Sequence, residues 1–328
     1  MYEIIKYRKK TGIIWLIVLS MLVMTFTGCK ARDKIFTVGI VSHVSSKAPI
    51  LEGFKKGMAE MGYIEGENIK YIFKGVLEAD EQGMDGGIKE LLSQDIDLLL
   101  TTGDAISLRA KELVKGSDMP VLFSSNTWPV EVGLVSSLIH PGGNLTGIRF
   151  ADTIPKALEW LTIITPGSKK VYLPYNPNDA VSINFIPVVD KTASQLGIEL
   201  ILHKIYSVEE AVKGIEDLTE DVNAILMIPS TTLNTRSIEL SRAAIRMRRP
   251  IGATLQVDED VLVTFTNDYF DAGKKTARLA KQIFQGAKPA DLPVETSEVF
   301  LSINLRTAEK IGIHISDDIL AQATTIIR

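Results

Sequence analysis

Residues 121–147 read VLFSSNTWPVEVGLVSSLIHPGGNLTG. The opening run Val121-Leu122-Phe123 is short, apolar and β-type, and it breaks at once into Ser124, Ser125, Asn126 and Thr127. In an α/β chain that order sets hydrogen-bonding side chains at the carboxyl end of a strand, where open parallel sheets take their ligands. Val132 to Ile139 suits a short helix, His140-Pro141-Gly142-Gly143-Asn144 a turn, and Leu145-Thr146-Gly147-Ile148 resumes a β pattern. The stretch therefore reads as a ligand loop followed by a first crossing, near Gly147, into a second lobe.

The chain on either side repeats one alternation. Upstream lie strand Ile35–Val41, helix Pro49–Met61, strand Ile69–Phe73, helix Asp80–Ser93, strand Leu98–Thr101 and helix Ala105–Val114. In the first of these helices Leu51, Phe54, Met58 and Met61 form one stripe, and Pro49 sits in the permissive first turn. Downstream the pattern predicts helix Pro155–Ile164, strand Val171–Tyr175, helix Val181–Leu196, strand Glu199–Ile205 and helix Val208–Leu218. It continues with strand Ala224–Ile228, helix Thr235–Met247 and strand Ile251–Thr254. Strands separated by helices call for parallel sheets with right-handed crossovers. Two such series within 328 residues predict an α/β protein of two lobes, each large enough for its own core. The end is less regular: strand Leu262–Phe265, helix Phe270–Phe284, connector Ala287–Pro293, strand Val299–Ile303, helix Leu305–Ile311 and a terminal segment, Asp317–Ile326.

The N-terminus is of another kind. Lys6, Arg8, Lys9 and Lys10 precede an apolar run from Ile13 to Thr25, shorter than the roughly 20 residues of a spanning helix and laid out like a secretory signal. Its end, Phe26-Thr27-Gly28-Cys29, resembles a bacterial lipobox, with Phe26 at a position usually held by leucine. Two readings stand: Cys29 is the lipidated first residue of the mature chain, or it is incidental to an ordinary signal. Cys29 is the single cysteine of the sequence, so an exported form has no internal disulfide and is stabilised by its core alone. Two lipid chains on one cysteine suffice for stable anchoring.

Removal of residues 1–28 takes away four positive charges and Glu3, which moves the formal charge from −4 to −7. An acidic surface excludes nucleic acid as an expected partner, because phosphate neutralisation needs clustered Lys and Arg. The densest basic cluster, Arg242, Arg246, Arg248 and Arg249, falls at the end of a predicted helix, where cations favourably meet the dipole. A binding patch is the alternative reading.

The chain has no G-x-S-x-G elbow, H-E-x-x-H, C-x-x-C, Walker-type phosphate loop or G-x-G-x-x-G fingerprint, so neither an enzyme nor a cofactor is expected. His43, His140, His203 and His314 fall on separate elements, which argues against a metal site. The candidate ligand residues are instead the polar strand ends: Ser42, His43 and Ser45; Thr102 and Gly103; Ser124, Ser125 and Asn126; Asn176 and Asn178; Ser230 and Thr231. Thr101-Thr102-Gly103-Asp104 ends a strand and opens a helix, so its amides and hydroxyls suit an anionic group, while Asp104 reads either as a contact or as an N-cap. His43 reads as a contact or a solvated loop residue, and the residues around Asn176 and Ser230 as contacts or ordinary turns. Trp128, Tyr175 and Tyr269 are the aromatic candidates for covering an apolar portion, with Trp128 alternatively a packing residue between lobes.

Certain spaced residues carry a family resemblance. They are Gly57 with Met61-Gly62-Tyr63-Ile64-Glu65-Gly66-Glu67-Asn68, Gly133-Leu134-Val135 with Pro141 to Gly147, Tyr269 with Gly273 and Ala277, Gly286 to Glu295, and Asn304-Leu305 with Ala308 and Gly312. In combination, over residues 35 to 325, the chain resembles the ABC-transporter substrate-binding proteins of the tryptophan/tyrosine type. The resemblance implies a type I periplasmic-binding-protein fold: two Rossmann-like lobes with three hinge crossings, near Gly147, Asn267 and Val294. It divides the chain into a leader (1–28), a linker (29–34), an N-terminal lobe (35–147 with 267–294) and a C-terminal lobe (148–266 with 295–328). It further implies a monomer outside the cytoplasm, tethered to the membrane through its lipid, that passes a small-molecule ligand to an ABC permease. A sensory module using the same cleft is the alternative. Members similar to the amino-acid binders carry Asp-Pro where this chain has Trp128-Pro129, and Asp where it has Ser230. An amino-acid ligand therefore needs another carboxylate for its ammonium group, and Asp268 is the first candidate, ahead of Asp104 and Asp179.

The lipid reading of Cys29 has a direct test. Radioactive palmitate labels the wild-type chain, and Cys29→Ala abolishes the label and leaves the protein unprocessed or released from the membrane. A soluble, unlabelled wild type cleaved elsewhere overturns it.

Overall fold

The computed structural model describes residues 34–42, 48–77, 80–230, 232–233, 236–254 and 260–328. The leader with Cys29, and the candidate contacts His43, Ser45 and Thr231, lie outside the described residues. The first series of elements is β1 (Phe36–Ser42), α1 (Ala48–Glu60), β2 (Ile69–Val76), α2 (Glu81–Leu92), β3 (Leu98–Thr102), α3 (Asp104–Leu113), β4 (Val121–Asn126) and β5 (Leu145–Arg149). The second is α4 (Ile154–Ile164), β6 (Lys170–Tyr175), α5 (Ala180–Leu196), β7 (Glu199–Lys204), α6 (Val208–Glu216), β8 (Ala224–Met227), α7 (Ser237–Arg246), β9 (Ile251–Ala253) and β10 (Val263–Asn267). Then follow α8 (Tyr269–Phe284), β11 (Glu295–Thr296), β12 (Val299–Asn304), α9 (Leu305–Ile311), α10 (Asp317–Leu320) and β13 (Thr325–Ile327).

These strands make two sheets, ordered β11-β5-β4-β3-β1-β2 and β13-β12-β10-β9-β8-β6-β7. The first is parallel throughout. In it β3 shows why the strands read as unbroken apolar runs: Leu98 and Leu100 pack with Phe54 of α1 on one face, and Leu99 packs with Ile88 and Leu91 of α2 on the other. In the second sheet, Ala224 and Leu226 of β8 face α4 and α5, and Ile225 and Met227 face α6 and α7.

Several expectations are corrected. The second sheet is not wholly parallel, because β12 runs antiparallel to β10 with Asn267 opposite Val299. The cause is topological: β10 leaves for the first lobe where β12 arrives from it, so neighbours point in opposite directions. Residues 132–139 form turns rather than a helix. Val132 N donates to Trp128 O (3.0 Å) and Leu134 N to Pro129 O (2.8 Å), and then Gly133, at φ 71°, takes a left-handed conformation that stops helical propagation. The first and third crossings also come later than expected. β5 pairs with β4 as far as Arg149, and Glu295 and Thr296 pair with β5, so the chain changes sheets at Phe150 and Ser297. Gly147 lies inside β5, where an added Cβ would run into the Phe123 carbonyl; it serves strand packing.

The first lobe is completed by α8, which comes from the far end of the chain and lies against α1. Gly53 and Gly57 of α1 meet Gly273 and Ala277 of α8, each pair spaced four residues apart so as to share a helix face. A Cβ at Gly53 would strike the Phe270 carbonyl, one at Gly273 the Ile50 carbonyl, and one at Gly57 would sit 2.9 Å from Ala277 Cβ. The helices approach backbone to backbone, with no space for a methyl group between them.

Gly53→Ala and Gly273→Ala should therefore each destabilise the protein by about 1–3 kcal/mol in denaturant unfolding, the range for overpacking. Gly86→Ala, in α2 with nothing within 4 Å of the added methyl group, should instead stabilise by about 0.5–1 kcal/mol. Equal effects at all three positions would contradict the close helix contact.

Candidate ligand site between the two sheets

In the first lobe, the carboxyl ends of β1, β3 and β4 carry a buried group of polar residues: Ser42, Thr101, Thr102, Ser124, Ser125 and Asn126. Most are tied together. Thr102 Oγ1 donates to Ser42 Oγ (2.8 Å), Thr101 Oγ1 pairs with Ser107 Oγ (2.8 Å), and Ser107 Oγ donates to Gly103 O (2.6 Å). Gly103, at φ 107°, holds the N-cap position of α3, and no side chain caps the helix. Asp104 is thus the first helical residue rather than the cap, and its Oδ1 accepts from Asn126 Nδ2 (2.9 Å).

Ser124 and Ser125 stand apart. Both hydroxyls are buried and, among the described residues, have no hydrogen-bond partner. Ser125 adopts φ 65° at a bulge that breaks the β4–β5 register between Ser124 and Asn126. An unpaired buried hydroxyl costs about 1–3 kcal/mol, and a left-handed non-glycine residue roughly 1–2 kcal/mol. Strain and unmet hydrogen-bonding capacity gathered at one strand end make this segment a candidate for ligand contact.

The second lobe presents a similar pair. Thr254, just past β9, and Ser182, in the first turn of α5, have buried hydroxyls without a partner among the described residues. The residues that the sequence singles out here are engaged in scaffolding. Asn176 donates to Thr232 Oγ1 (2.9 Å) and accepts from the Asn178 amide (2.9 Å), while Ser230 Oγ donates to Asp179 Oδ2 (2.8 Å) and accepts from the Thr232 amide (3.2 Å). Tyr175 is buried in the second-lobe core.

Between the lobes, the rings of Trp128 and Phe185 meet at 5.3 Å, so Trp128 does pack across the cleft. Tyr269 lies against Phe150 at 4.9 Å, at the crossings. Asp268 is the N-cap of α8, its Oδ1 accepting from the Asp271 amide (2.9 Å). In the segment after β5, desolvation raises the Asp152 carboxyl above its ordinary range, partly offset by the bond from the Ile154 amide (3.2 Å). Two residues of the basic cluster have acidic or carbonyl partners: Arg246 on Glu216 (2.7 Å), Arg249 on Thr219 O (3.2 Å).

Sequence reasoning missed Ser182, Thr254 and Phe185. Thr254 carried a usable signal, a hydroxyl at the carboxyl end of a predicted strand. Ser182 and Phe185 carried none, because nothing in an amphipathic helix marks which hydroxyl is left without a partner or which ring meets a neighbouring lobe. Among the described residues no group of three or more His, Cys, Asp or Glu is placed to hold a metal, and no helix is long and apolar enough to cross a membrane.

Two lobes of mostly parallel strands with polar side chains at their strand ends define a type I periplasmic-binding-protein fold, and relatives share it. The family model for the ABC transporter substrate binding protein matches residues 34–327, and the chain belongs to that family. It is a binding protein rather than an enzyme, and its partners are a small-molecule ligand and an ABC transporter. The tyrosine-binding protein of Clostridioides difficile (strain R20291) is 29% identical over 274 residues, which cover 82% of this chain and 78% of the relative. A Streptococcus pneumonia ABC domain solved in complex with L-Trp superposes with a TM-score of 0.74 at 25% identity, covering 90% of this chain and 100% of that one. A conserved domain protein from Vibrio cholerae superposes at 0.75 with 22% identity over 90% of this chain and 100% of that one, a likeness of fold.

The unpaired hydroxyls can be tested without a ligand. Ser182→Ala should leave the stability of the unliganded protein unchanged or raise it by up to about 1 kcal/mol, because a desolvated group is removed without loss of a bond. Ser107→Ala, also in a helix but bonded to Thr101, Gly103 and Asn126, should lower stability by about 0.5–1.5 kcal/mol. Equal losses in urea unfolding would show that Ser182 is paired.

Proposed function

We propose that this chain is an extracytoplasmic receptor, tethered through Cys29 and acting as a monomer, that captures an α-amino acid with an aromatic side chain and delivers it to an ABC permease. The observation that carries the reading is the set of buried hydroxyls on opposite lobes that are unpaired among the described residues, Ser124 and Ser125 against Ser182 and Thr254. A ligand that bonds to both sets gains its full contacts when the lobes are together, which couples occupancy to closure. The N-terminus of α3, which no side chain caps and which lies next to Ser124, suits a carboxylate, because the helix dipole there favours negative charge. Trp128 and Phe185 supply an aromatic surface for the side chain. Asp268 keeps one oxygen on the Asp271 amide, and its second is the proposed acceptor for the ammonium group in place of the carboxylates replaced at Trp128 and Ser230. The names of the tyrosine-binding relative and of the L-Trp complex support the same ligand class.

Thermal-shift measurements followed by calorimetry should show stabilisation by L-tyrosine, L-tryptophan or L-phenylalanine and none by glucose, myo-inositol or nucleosides. At a hundred times Kd the gain should be about 2.7 kcal/mol, with a smaller radius of gyration in scattering. Ser124→Ala should weaken binding about tenfold, or roughly 1.4 kcal/mol. Stabilisation by uncharged solutes alone overturns the ligand class, and an Asp268→Asn variant that binds as tightly as wild type overturns the ammonium assignment.

A further inference from the structure

Three segments carry the chain between the sheets, at Phe150–Thr153, at Asn267–Asp268 and at Ser297–Glu298. Two-lobed proteins joined by several strands can swing, twist or slide, and what limits them to one motion is how the strands are fixed to each other. Here some of the fixing is ordinary backbone pairing. Ser297 N donates to Arg149 O (2.9 Å) and Asp268 N to Glu298 O (2.9 Å). On the outer side Lys275 of α8 donates to Thr296 O (3.1 Å) and to Glu298 (2.7 Å), which holds the Glu298 carboxyl below its ordinary range.

One side chain joins all three segments. Asn267, the last residue of β10, is 5% exposed. Its Oδ1 accepts from the Ala151 amide (2.8 Å) and from Ser297 Oγ (2.6 Å), and its Nδ2 donates to the Ala151 carbonyl (3.1 Å). The carboxamide thus pairs with Ala151 as a neighbouring peptide group would, while the oxygen also holds the third segment. No other uncharged side chain of this size offers a donor and an acceptor in that arrangement. Aspartate lacks the donor, and glutamine is one methylene longer.

We propose that Asn267 is the positioning residue of the hinge. Its carboxamide clamps the three crossings together, so the lobes swing about one axis and bring Ser124 and Ser125 into register with Ser182 and Thr254. The purpose of that register rests on the ligand-site reading above, but the clamp itself does not, and its test needs no ligand.

Spin labels at Glu131→Cys, in the first lobe, and Lys191→Cys, in α5, on a Cys29→Ala background of the otherwise full chain, report the interlobe distance by pulsed electron resonance. The unliganded parent should give one narrow distribution. Asn267→Ala should broaden it towards longer distances, with the ratio of wide to narrow populations raised about tenfold, equivalent to roughly 1.4 kcal/mol, and Ser297→Ala should shift it the same way by less. Asn267→Asp should be broad at pH 8, where the carboxylate faces the Ala151 carbonyl, and narrow again at pH 4, where the protonated acid regains a donor. The parent, which carries Asp152, Asp268, Glu298 and Lys275 in the same surroundings, is the control at both pH values. Distributions of Asn267→Asp and Ser297→Ala that match the parent at both pH values overturn the proposal, whether or not Asn267→Ala folds. An Asn267→Asp distribution equally broad at pH 4 and pH 8 overturns the donor role of the amide.

Discussion

The backbone contact between α1 and α8 is the constraint from which the two-lobed topology follows. A parallel sheet must be covered on both faces, and the face of the first sheet that carries Val38, Ile40, Leu98, Leu100, Leu122 and Ile148 is closed jointly by α1 and by Ala272, Ala277, Leu279, Ala280 and Ile283 of α8. Because α8 follows β10 of the second sheet, the chain has to leave the second lobe half-way through its last strands and later return to it. Three crossings result from that requirement. Glycines at positions 53, 57 and 273 permit the approach, and the second crossing, at Asn267, lies directly before the helix they admit.

The same parallel architecture explains the cleft. Strands buried on both faces leave their carboxyl ends as the place where polar side chains meet open space, and both lobes turn those ends towards each other. Within that polar belt two populations separate on hydrogen bonding. Thr101, Thr102, Ser107, Asn126, Asn176 and Ser230 are bonded to one another or to nearby backbone and hold loops in shape. Ser124, Ser125, Ser182 and Thr254 are desolvated and, among the described residues, unmatched, which makes them the candidates for bonds to an outside partner. The stability sacrificed at Ser125, in both its φ and its hydroxyl, is concentrated beside the crossing at Phe150, whose amide bonds to Asn126 O (2.8 Å). The candidate ligand residues and the first crossing are therefore adjacent along β4 and β5.

Much of this was legible in the sequence. Apolar runs such as Leu98 to Leu100, bounded by helical stripes such as Phe54 and Met58, determine strand and helix without reference to anything distant, because burial on a strand or a helix face is a periodic property of the local chain. The switch from Phe123 to Ser124 marks a strand end for the same reason, and spaced motifs such as Gly133 with Pro141 to Gly147 place the chain in its family. Where long-range contact decides, the sequence was silent or misleading. Val132 to Ile139 has a helical composition, but Gly133 and the carbonyls of Trp128 and Pro129 fold it into turns. Gly147 has the look of a hinge residue, yet the Phe123 carbonyl above it makes it a strand residue, and pairing of β5 with β11 moves the crossing to Phe150. In the sequence Asp268 stands out as the first candidate carboxylate, and its neighbour Asn267 only marks a crossing. Tertiary structure makes the first a helix cap and gives the second three partners, one at residue 297 and two at residue 151. The sequence by itself determined the elements, the polar strand ends and the family, because each depends on local periodicity or on fixed spacing. Tertiary structure alone decided which hydroxyls are left unpaired and which amide joins the crossings, because a hydrogen bond between residues more than a hundred positions apart leaves no periodic trace in the chain.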